Sequence, residues 1–578
     1  MHRFSTSIVV CLLLIMSGCA ENATRPNVIL VMTDDQGYGD IGVHGHPLLE
    51  TPNLDELHSE SVRLTDFHVD PTCSPSRAAL MTGRYSSRSG VWHTIMGRSL
   101  MNPDEITIAE VFKDNGYDTG MIGKWHLGDN YPLRPQDQGF DDAFYHRGGG
   151  VGQGPDFFGN DYFDDTYVRN GVEEKVEGYV TDVWFNDAVE YVSEHKDNPF
   201  FLYLSTNAPH GPFIADEKYA EPYVDAGAGK VTSRFLGMIA NIDENMGRLT
   251  DHLDDLGLSD NTILIFMTDN GSAQDWAIRA DEEGAWAGYG AGMRGVKASE
   301  YDGGHRVPFF IRWPDGGLFG GRDVDQLSAH IDVLPTLAKL ANLKLPDSIE
   351  LDGVSLVSTL QGNTEELQDR TILVHSQRVP VPIKWRKSAV MTNQWRLVNQ
   401  NELYDMVADP GQTSDVSADH SEVVSRLRVE YDSWWLSLAP SFDKIVRIGL
   451  GSKEENPVNL SAHDWFVTEQ SLSPWSQNHI RNGHIGNGHW EVDVQKSGDY
   501  LVTLRRWPVS EPGPIEAVLA RMNVGGSEIE TEVSVTDEFV EFAVELDAGP
   551  TTLQTWLTLP SGESRGAYYV SVEKVVVE

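Results

Sequence analysis

Apolar and polar positions follow one pattern through the amino-terminal part of the chain. The runs VILVM at 28–32 and ILIFM at 263–267 are apolar at every position, which is typical of strands covered on both faces. Segments such as TIAEVFKDNG and TDVWFNDAVEYVSEH have the spacing of amphipathic helices. Strands that alternate with helices predict an α/β fold with a mostly parallel sheet sandwiched by helices, assigned to residues 26–370.

The pattern changes twice toward the carboxyl terminus. Residues 371–440 combine short strand-like runs with the segment EVVSRLRVEYDSWWLSL, which predicts a small antiparallel subdomain closed by a helix. After Pro440 the segments HWEVDVQKSGDYLVTLRRWP, EIETEVSVTDEFVEFAVEL and TTLQTWLTL alternate with period two and lack helical stretches, which predicts a β-sandwich appendage over residues 441–578. Trp475 and Trp490 of this appendage are candidates to stack on sugar rings, although packing is the favoured interpretation of the module.

The first nineteen residues, MHRFSTSIVVCLLLIMSGC, predict an export signal of the lipoprotein type. A basic start precedes an apolar run that is too short to span a bilayer, and small residues precede Cys19. On this interpretation Cys11 is removed with the signal, and Cys19 is the lipid-anchored first residue of a protein in the periplasm or at the cell surface. Cys73 is then the one cysteine left in the folded chain, so an intrachain disulfide is excluded.

Composition and charge restrict the class of protein further. The sequence has 578 residues, of which 40% are hydrophobic and 10% aromatic, so it can bury a large core divided over two or three units. Its formal net charge of -43 argues against nucleic acid as a partner, because an acidic surface repels phosphate. A pocket for an anionic substrate must therefore be locally basic.

Oxygen-bearing side chains follow two of the predicted strands. Asp34 and Asp35 come directly after the first apolar run, and Asp269 and Asn270 come directly after the second. One such pair is usually a turn or a helix cap, but the carboxyl ends of parallel strands meet at one edge of a sheet. The sequence therefore predicts a site for a hard divalent cation, Ca²⁺ or Mg²⁺, which prefers oxygen ligands.

The segment PTCSPSRAALMTGR places Cys73 where a helix is expected to begin. Pro75 suits a first helical turn, and free amide protons at a helix start favour an anion. Arg77 lies one turn further on, where its guanidinium can hold an oxyanion. Further basic side chains follow other predicted strands: Lys124, His126 and His210. Together these residues predict a pocket for a tetrahedral oxyanion ester, either a phosphate or a sulfate.

The same segment closely resembles the signature of the type I sulfatases, in which cysteine-x-proline-x-arginine precedes threonine-glycine-arginine. Further blocks of that family occur in the same order: TDDQGYGD, GKWHLG, NAPHGPF, TDNGS and GVKASEYDGGHRVP. The resemblance covers about residues 26–440 and implies the alkaline phosphatase-like sulfatase fold. It also implies that a modifying enzyme oxidises Cys73 to formylglycine, an aldehyde whose hydrate carries two hydroxyls. One departure is Asp302, where the family pattern has glutamate.

The resemblance further implies a role for each site residue. The implied ligands of one Ca²⁺, with Mg²⁺ as the alternative, are Asp34, Asp35, Asp269, Asn270 and the modified Cys73. Arg77 is expected to orient the hydrate, and Lys124 to neutralise sulfuryl oxygens. His126 is expected to act as a base that restores the aldehyde. His210 and Lys297 are expected to flank the leaving oxygen, one of them as the general acid.

These observations predict hydrolysis of sulfate esters on a glycan or oligosaccharide. A phosphoesterase of the related alkaline phosphatase group and a non-catalytic sugar-binding surface lipoprotein are the alternatives. The segment HRGGGVGQGPDFFGNDYFDDTY, residues 146–167, is too rich in glycine and aspartate for a core and predicts a loop over the pocket. His146 and Arg147 in this loop are expected to contact the substrate, with a preference for short oligosaccharides or chain ends.

Overall fold

The computed structural model describes residues 25–281, 286–363, 367 and 370–575. The predicted export signal, with Cys11 and Cys19, lies outside the described residues. Within the described ranges, no helix is both long enough and apolar enough to cross a membrane.

The amino-terminal part of the chain is built on one large mixed sheet. Its strands and those of a small neighbouring pair are β1 (Asn27–Thr33), β2 (Val62–Leu64), β3 (Phe67–His68), β4 (Asp118–Lys124), β5 (Asp142–His146), β6 (Thr166–Arg169), β7 (Val172–Lys175), β8 (Phe200–Ser205), β9 (Thr262–Thr268), β10 (Phe309–Arg312), β11 (Arg322–Val324) and β12 (Ser328–Ala329). In the described residues the large sheet has the order β11-β2-β10-β9-β1-β8-β4-β5-β6-β7, and β3 pairs with β12.

Helices cover both faces of this sheet. Those of the amino-terminal part are α1 (Pro52–Glu60), α2 (Cys73–Thr82), α3 (Ile108–Asp114), α4 (Val180–His195), α5 (Glu217–Asp225), α6 (Lys230–Asp255), α7 (Gln274–Ala280), α8 (Asp302–His305), α9 (Val333–Leu340) and α10 (Val357–Leu360). Val28, Leu30 and Met32 of β1 pack in a core with α2, α3 and α9, whereas Ile29 and Val31 pack in another with α4 and α6. This two-sided burial explains why the run lacks alternation, and it confirms the predicted α/β fold.

The sheet is less uniformly parallel than a simple βα alternation suggests. β1 is parallel to both β8 and β9, and β4 is parallel to β8 and β5. β10 runs antiparallel to β9 and β2, and β6 and β7 extend the other edge as an antiparallel pair. The central strands, which carry the predicted site residues, therefore all end at the same edge.

A small antiparallel sheet and a long helix follow, as expected. The elements are β13 (Ile372–His375), β14 (Ser388–Met391), β15 (Trp395–Val398), β16 (Glu402–Asp405) and α11 (Ser421–Phe442). Arg396 of β15 ties this subdomain to the large sheet, because its guanidinium bonds to Asp302 at 3.1 Å and to Asp66 at 2.8 Å. Although burial opposes ionisation, Arg396 holds the pKa of Asp302 below its usual value. Asp302 is thus a contact of the subdomain junction.

The last part of the chain is a β-sandwich. Its elements are β17 (Ile448–Leu450), β18 (Val458–Ser461), α12 (Gln477–Arg481), β19 (His489–Val494), β20 (Gly498–Arg505), β21 (Leu519–Val524), β22 (Ser527–Glu532), β23 (Val540–Leu546), β24 (Gly549–Thr558), β25 (Ser564–Arg565) and β26 (Tyr569–Lys574). One sheet has the order β17-β19-β24-β21-β22, with β25 on β24, and the other has the order β18-β26-β20-β23.

One detail of the sandwich differs from expectation. Trp490 is fully buried, with its indole N–H donating to the carbonyl of Ser461, so it cannot stack on a sugar. Alternation put it on the inner face, where it packs against Trp465 in the core between the sheets. The three alternating segments, which the structure describes in full, contain no helix, as predicted, and the short helix α12 lies in residues 462–488, which connect β18 to β19.

The junction at Arg396 generates a stability prediction. Arg396→Ala is expected to lower the free energy of unfolding by about 3–5 kcal/mol, because it removes the closest counter-charge of two buried carboxylates. Urea unfolding followed by circular dichroism measures the change. Arg426→Ala, which removes an exposed partner of Glu430 on α11, is the control and should cost at most about 0.5 kcal/mol. Equal unfolding midpoints for the two variants would contradict the assignment.

Candidate active site

The carboxyl ends of the central strands bring the predicted metal ligands together. β1 and β9 run parallel in register up to Thr33 and Thr268, so the next residues of both strands are neighbours. The backbone N–H of Asp35 donates to Asp269 Oδ1 at 3.0 Å, and the Asn270 side-chain amide donates to Asp35 Oδ1 at 2.8 Å. Ligand atoms of Asp34, Asp35, Cys73 and Asp269 all lie within 4.8 Å of one another.

The donor set of this cluster fits a hard divalent cation. Asp34 Oδ1 and Asn270 Oδ1 are buried and have no hydrogen-bond partner among the described residues. Burial raises the pKa of Asp34 to about 8, and repulsion from the carboxylate of Asp269 acts in the same direction. A cation bound between these oxygens would offset both effects, and oxygen ligands suit Ca²⁺ or Mg²⁺.

Each carboxylate of the cluster also has a cationic partner from elsewhere in the fold. The pairs are Lys124 Nζ with Asp34 Oδ2 at 2.5 Å, Lys297 Nζ with Asp35 Oδ1 at 2.5 Å, and Arg77 Nη2 with Asp269 Oδ2 at 2.9 Å. When all three carboxylates are ionised, these three cations balance their charge before any metal is added. A divalent cation would therefore make the site net positive, as an anionic substrate requires despite the acidic surface.

Cys73 lies at the first residue of α2, beside this cluster. Its Sγ is 3.3 Å from Lys297 Nζ and 3.8 Å from Asp35 Oδ1, and the side chain is buried. Burial raises the pKa of the Cys73 thiol above its usual value. The unmodified thiol is therefore not a thiolate at neutral pH and is a poor nucleophile.

The guanidinium of Arg77 bonds to groups at the ends of the strands around Cys73. Its guanidinium donates to Asp269 Oδ2, to the carbonyl of Lys124 at 2.9 Å and to Ser205 Oγ at 2.5 Å. These bonds connect the ends of β4, β8 and β9. The guanidinium thus positions the carboxylate and lysine groups that surround Cys73.

The two predicted histidines have defined hydrogen bonds. His126 Nε2 lies 2.9 Å from the carbonyl of Thr94, which assigns the proton to Nε2 and leaves a lone pair on Nδ1. His210 Nδ1 donates to the carbonyl of Gly211 at 2.7 Å, and its Nε2 is 3.6 Å from Asp35 Oδ2. Burial lowers the pKa of His126 well below its usual value and that of His210 to about 3.

These groups open into a pocket of about 120 Å³. Its lining residues are Thr72, Cys73, Thr94, Ile95, His126, Gly149, Gln153, His210, Trp276, Lys297, Arg378, Gln470 and Trp475. The structure thereby brings together Cys73, His126, His210 and Lys297, as predicted. Sequence reasoning missed Trp276, whose position on the helix that follows Asn270 was the available signal. It also missed Gln153, although this residue lies in the glycine-rich loop predicted over the pocket, and Arg378 and Gln470, for which the sequence carries no signal.

His146 and Arg147 do not line this pocket. The imidazole of His146 is fully buried, with Nε2 3.4 Å from Asp156 Oδ1. The guanidinium of Arg147 lies over the ring of Phe157 and lines a separate cavity of about 240 Å³ beside the sandwich. The glycine-rich loop does reach the pocket, but through Gly149 and Gln153. The parallel pairing of β5 with β4 ends at His146, which keeps that side chain inside the sheet layer.

Comparisons with known proteins agree with this geometry. A family model described as Sulfatase matches residues 26–343, and one described as N-sulphoglucosamine sulphohydrolase, C-terminal, matches residues 297–433. The first match spans more than half of the chain, so the protein belongs to the sulfatase family. It is a sulfuric ester hydrolase, as predicted, and its fold is the alkaline phosphatase-like fold of that family.

Similar proteins include human enzymes and proteins of known crystal structure. Human N-acetylgalactosamine-6-sulfatase is 32% identical over 62% of this chain and 70% of its own length, and human arylsulfatase A is 33% identical over 61% and 71%. The protein in the crystal structure of Ps i-CgsB in complex with k-i-k-neocarrahexaose has 30% sequence identity to this chain. The two structures align with a TM-score of 0.63, and the alignment covers 71% of this chain and 93% of the other. The two family matches end before the β-sandwich.

The close approach of the glycine-rich loop generates a second prediction. A Cβ at position 149 would lie 2.3 Å from His126 Nε2, so Gly149→Ala must displace the imidazole. Displacement of a reacting group by about 1 Å costs on the order of 100-fold in rate, so a loss of at least about tenfold in kcat for sulfate release is expected. Gly211→Ala is the control, since its Cβ would meet no atom closer than 3.7 Å. Unchanged turnover in Gly149→Ala would show that the His126 ring does not act where it lies.

Proposed function

We propose that this protein is an exported carbohydrate sulfatase that uses formylglycine formed from Cys73 and one bound Ca²⁺. The observation that carries the proposal is the position of Cys73, at the start of α2 and within hydrogen-bonding distance of the balanced cluster of carboxylates and cations. The thiol itself is unsuited to nucleophilic attack, whereas the surroundings are arranged for an anionic ester. A modified side chain at position 73 would supply the nucleophile that this arrangement of charges requires and that the thiol does not provide.

The modification and the metal would each supply one kind of chemistry. Formylglycine would supply, as its hydrate, a hydroxyl nucleophile on the residue 73 side chain. Ca²⁺ would be held by Asp34, Asp35, Asp269 and Asn270 and would reduce the repulsion between that nucleophile and a sulfate ester. Mg²⁺ has the same ligand preference and is the alternative ion.

The chain's own residues then bind the ester and move protons. Lys124 and Lys297 place positive charge beside the sulfuryl oxygens. His126 Nδ1, with its proton fixed on Nε2, is the base that would accept the proton of the second hydroxyl on residue 73, so that the sulfate transferred to the first hydroxyl leaves and the aldehyde is restored. When the bond between sulfur and the sugar oxygen breaks, the leaving oxygen takes a proton from Lys297 or His210, both of which line the pocket. The Lys297 ammonium carries a proton, whereas His210 can donate only as the imidazolium, because the proton of the neutral ring is held on Nδ1 by the carbonyl of Gly211.

Carbohydrate is the proposed substrate class for three reasons. The similar proteins named above include one whose name specifies N-acetylgalactosamine and one solved with a neocarrahexaose. The pocket is lined by the indoles of Trp276 and Trp475, which offer apolar faces to a sugar ring. Its volume of about 120 Å³ is below the range of about 300–1,000 Å³ typical for drug-sized ligands. A site for one sulfated ring favours chain ends and short oligosaccharides.

The rival functions lack this combination. A phosphoesterase with two zinc ions needs several histidine ligands, whereas the carboxylate cluster at β1 and β9 supplies oxygen donors. A non-catalytic surface lipoprotein would not need a base, a buried lysine and a reactive position in one pocket. Export, lipid anchoring at Cys19 and dependence on a modifying enzyme belong to the same proposal and are supported by the sequence of residues 1–19 and 73–84.

The proposal predicts that Cys73 is formylglycine in active protein. Peptide mass spectrometry should find the aldehyde or its hydrate at position 73. The purified protein should release sulfate from N-acetylgalactosamine 6-sulfate or a carrageenan hexasaccharide, and much less phosphate from N-acetylgalactosamine 6-phosphate. Protein made in a host without the modifying enzyme should fold with the same unfolding midpoint but stay inactive, as should Cys73→Ser. Full sulfate release by protein with only a thiol at position 73 would refute the proposal.

The metal prediction has a readout that is independent of turnover. Added Ca²⁺ is expected to raise the thermal midpoint of chelator-treated protein, because binding to the folded state alone stabilises it, and to restore sulfate release. Asn270→Ala should abolish both responses, since it removes an oxygen donor that has no other partner in the described part of the chain. Asn198→Ala, at an exposed asparagine after α4, is the matched control. A midpoint shift in Asn270→Ala as large as in wild type, or zinc in the native protein, would count against the site.

A further inference from the structure

The β-sandwich reaches the active-site pocket through residues 462–488. This insertion connects β18 to β19, packs Trp465 and Ile480 into the core of the sandwich, and places Gln470 and Trp475 in the lining of the pocket that contains Cys73. Trp475 is 36% exposed, so part of its indole is accessible to a ligand in the pocket. The appendage is therefore part of the pocket and not a separate module.

The insertion is held firmly against the catalytic part of the chain. The backbone N–H of Gly154 donates to the carbonyl of Trp475 at 2.9 Å, and the N–H of Met96 donates to the carbonyl of His463 at 2.9 Å. The side-chain amide of Gln477 donates to the carbonyl of Phe157 at 3.0 Å, and its Oε1 accepts from the N–H of Gly159. Because these bonds fix the backbone on both sides of Trp475, the indole is positioned before substrate binds.

The chemistry of this wall differs from that of the catalytic wall. The catalytic wall carries charged groups, among them Lys297 and Arg378, whereas the sandwich contributes an indole and an uncharged amide. Gln153 of the glycine-rich loop lies next to them, with Oε1 3.2 Å from His463 Nε2. An apolar face with neutral hydrogen-bonding groups suits the ring and hydroxyls of a sugar, not its sulfate.

We propose that the β-sandwich supplies a sugar subsite, in which Trp475 stacks on the ring of the leaving alcohol while Gln470 and Gln153 bond to its hydroxyls. This inference rests on the proposed carbohydrate sulfatase function. Through Trp475 and Gln470 it assigns part of the selection of the sugar to a segment beyond both family matches, the second of which ends at residue 433, whereas Gln153 lies within the first match. The catalytic wall then recognises the sulfate, and the sandwich wall recognises what the sulfate is attached to.

The test separates sugar recognition from sulfate recognition in the full-length, modified protein. Trp475→Ala is expected to raise KM for the carrageenan hexasaccharide or N-acetylgalactosamine 6-sulfate by about tenfold, the usual size of loss for a truncated aromatic anchor. Its kcat should stay within about twofold, because Trp475 touches no reacting group. Inhibition by inorganic sulfate, which probes the catalytic wall alone, should keep the same Ki. Trp475→Phe should restore most of the affinity, and Gln470→Ala should raise KM in the same way.

Trp556→Ala provides the control, because Trp556 lies on β24 of the same sandwich and packs against Arg521. It should change neither KM nor Ki. An unchanged KM in Trp475→Ala, with wild type active on the same sugar, would overturn the subsite while leaving the proposed function intact. A parallel loss of kcat and of sulfate affinity would also overturn it, since the indole would then support the scaffold. Failure of wild type to release sulfate from either sugar would remove the proposed function and this inference together.

Discussion

The pairing of buried carboxylates with buried cations at one edge of the large sheet is the constraint on which the rest of this structure depends. Asp34, Asp35 and Asp269 have almost no exposure to solvent, and isolated charges at such depth would be prohibitive. They are tolerated because Lys124 and other cations approach each of them within hydrogen-bonding distance. That arrangement exists only while β1, β4, β8 and β9 stay in parallel register. The electrostatics of the site therefore depend on the stability of the sheet.

The elements around the cluster are best understood by what they add to it. Helix α2 presents Cys73 beside the charges, and the loop after β5 brings Gly149 so close to His126 that no side chain fits between them. The antiparallel subdomain is attached through Arg396, and the sandwich insertion completes the pocket with Trp475. A charged centre is thus surrounded by segments that differ in chemistry and that lie far apart in the chain.

How much of this could be read from the sequence depended on how local the signal was. Uninterrupted apolar runs predicted the central strands, because burial on both faces removes alternation. The antiparallel direction of β10 could not be read, since burial patterns do not encode strand direction. Period-two alternation predicts the sandwich but does not show which face of each strand is exposed to solvent. For this reason Trp490 is predicted as a surface residue, although it lies in the core.

The sequence by itself determined the family and predicted the catalytic position and the metal ligands, because each is a short motif at a strand end or helix start, where neighbouring residues dictate the geometry. Tertiary structure alone decided which walls enclose the pocket. Arg378 and Trp475 come from segments hundreds of residues away from Cys73, and nothing in their local sequence indicates that they meet it. His146 and Arg147, chosen for their place in the glycine-rich loop, were directed elsewhere by burial in the sheet layer and by contact with Phe157. The direction of a side chain in a loop depends on the residues that pack against it, and only the tertiary structure brings those residues next to the loop.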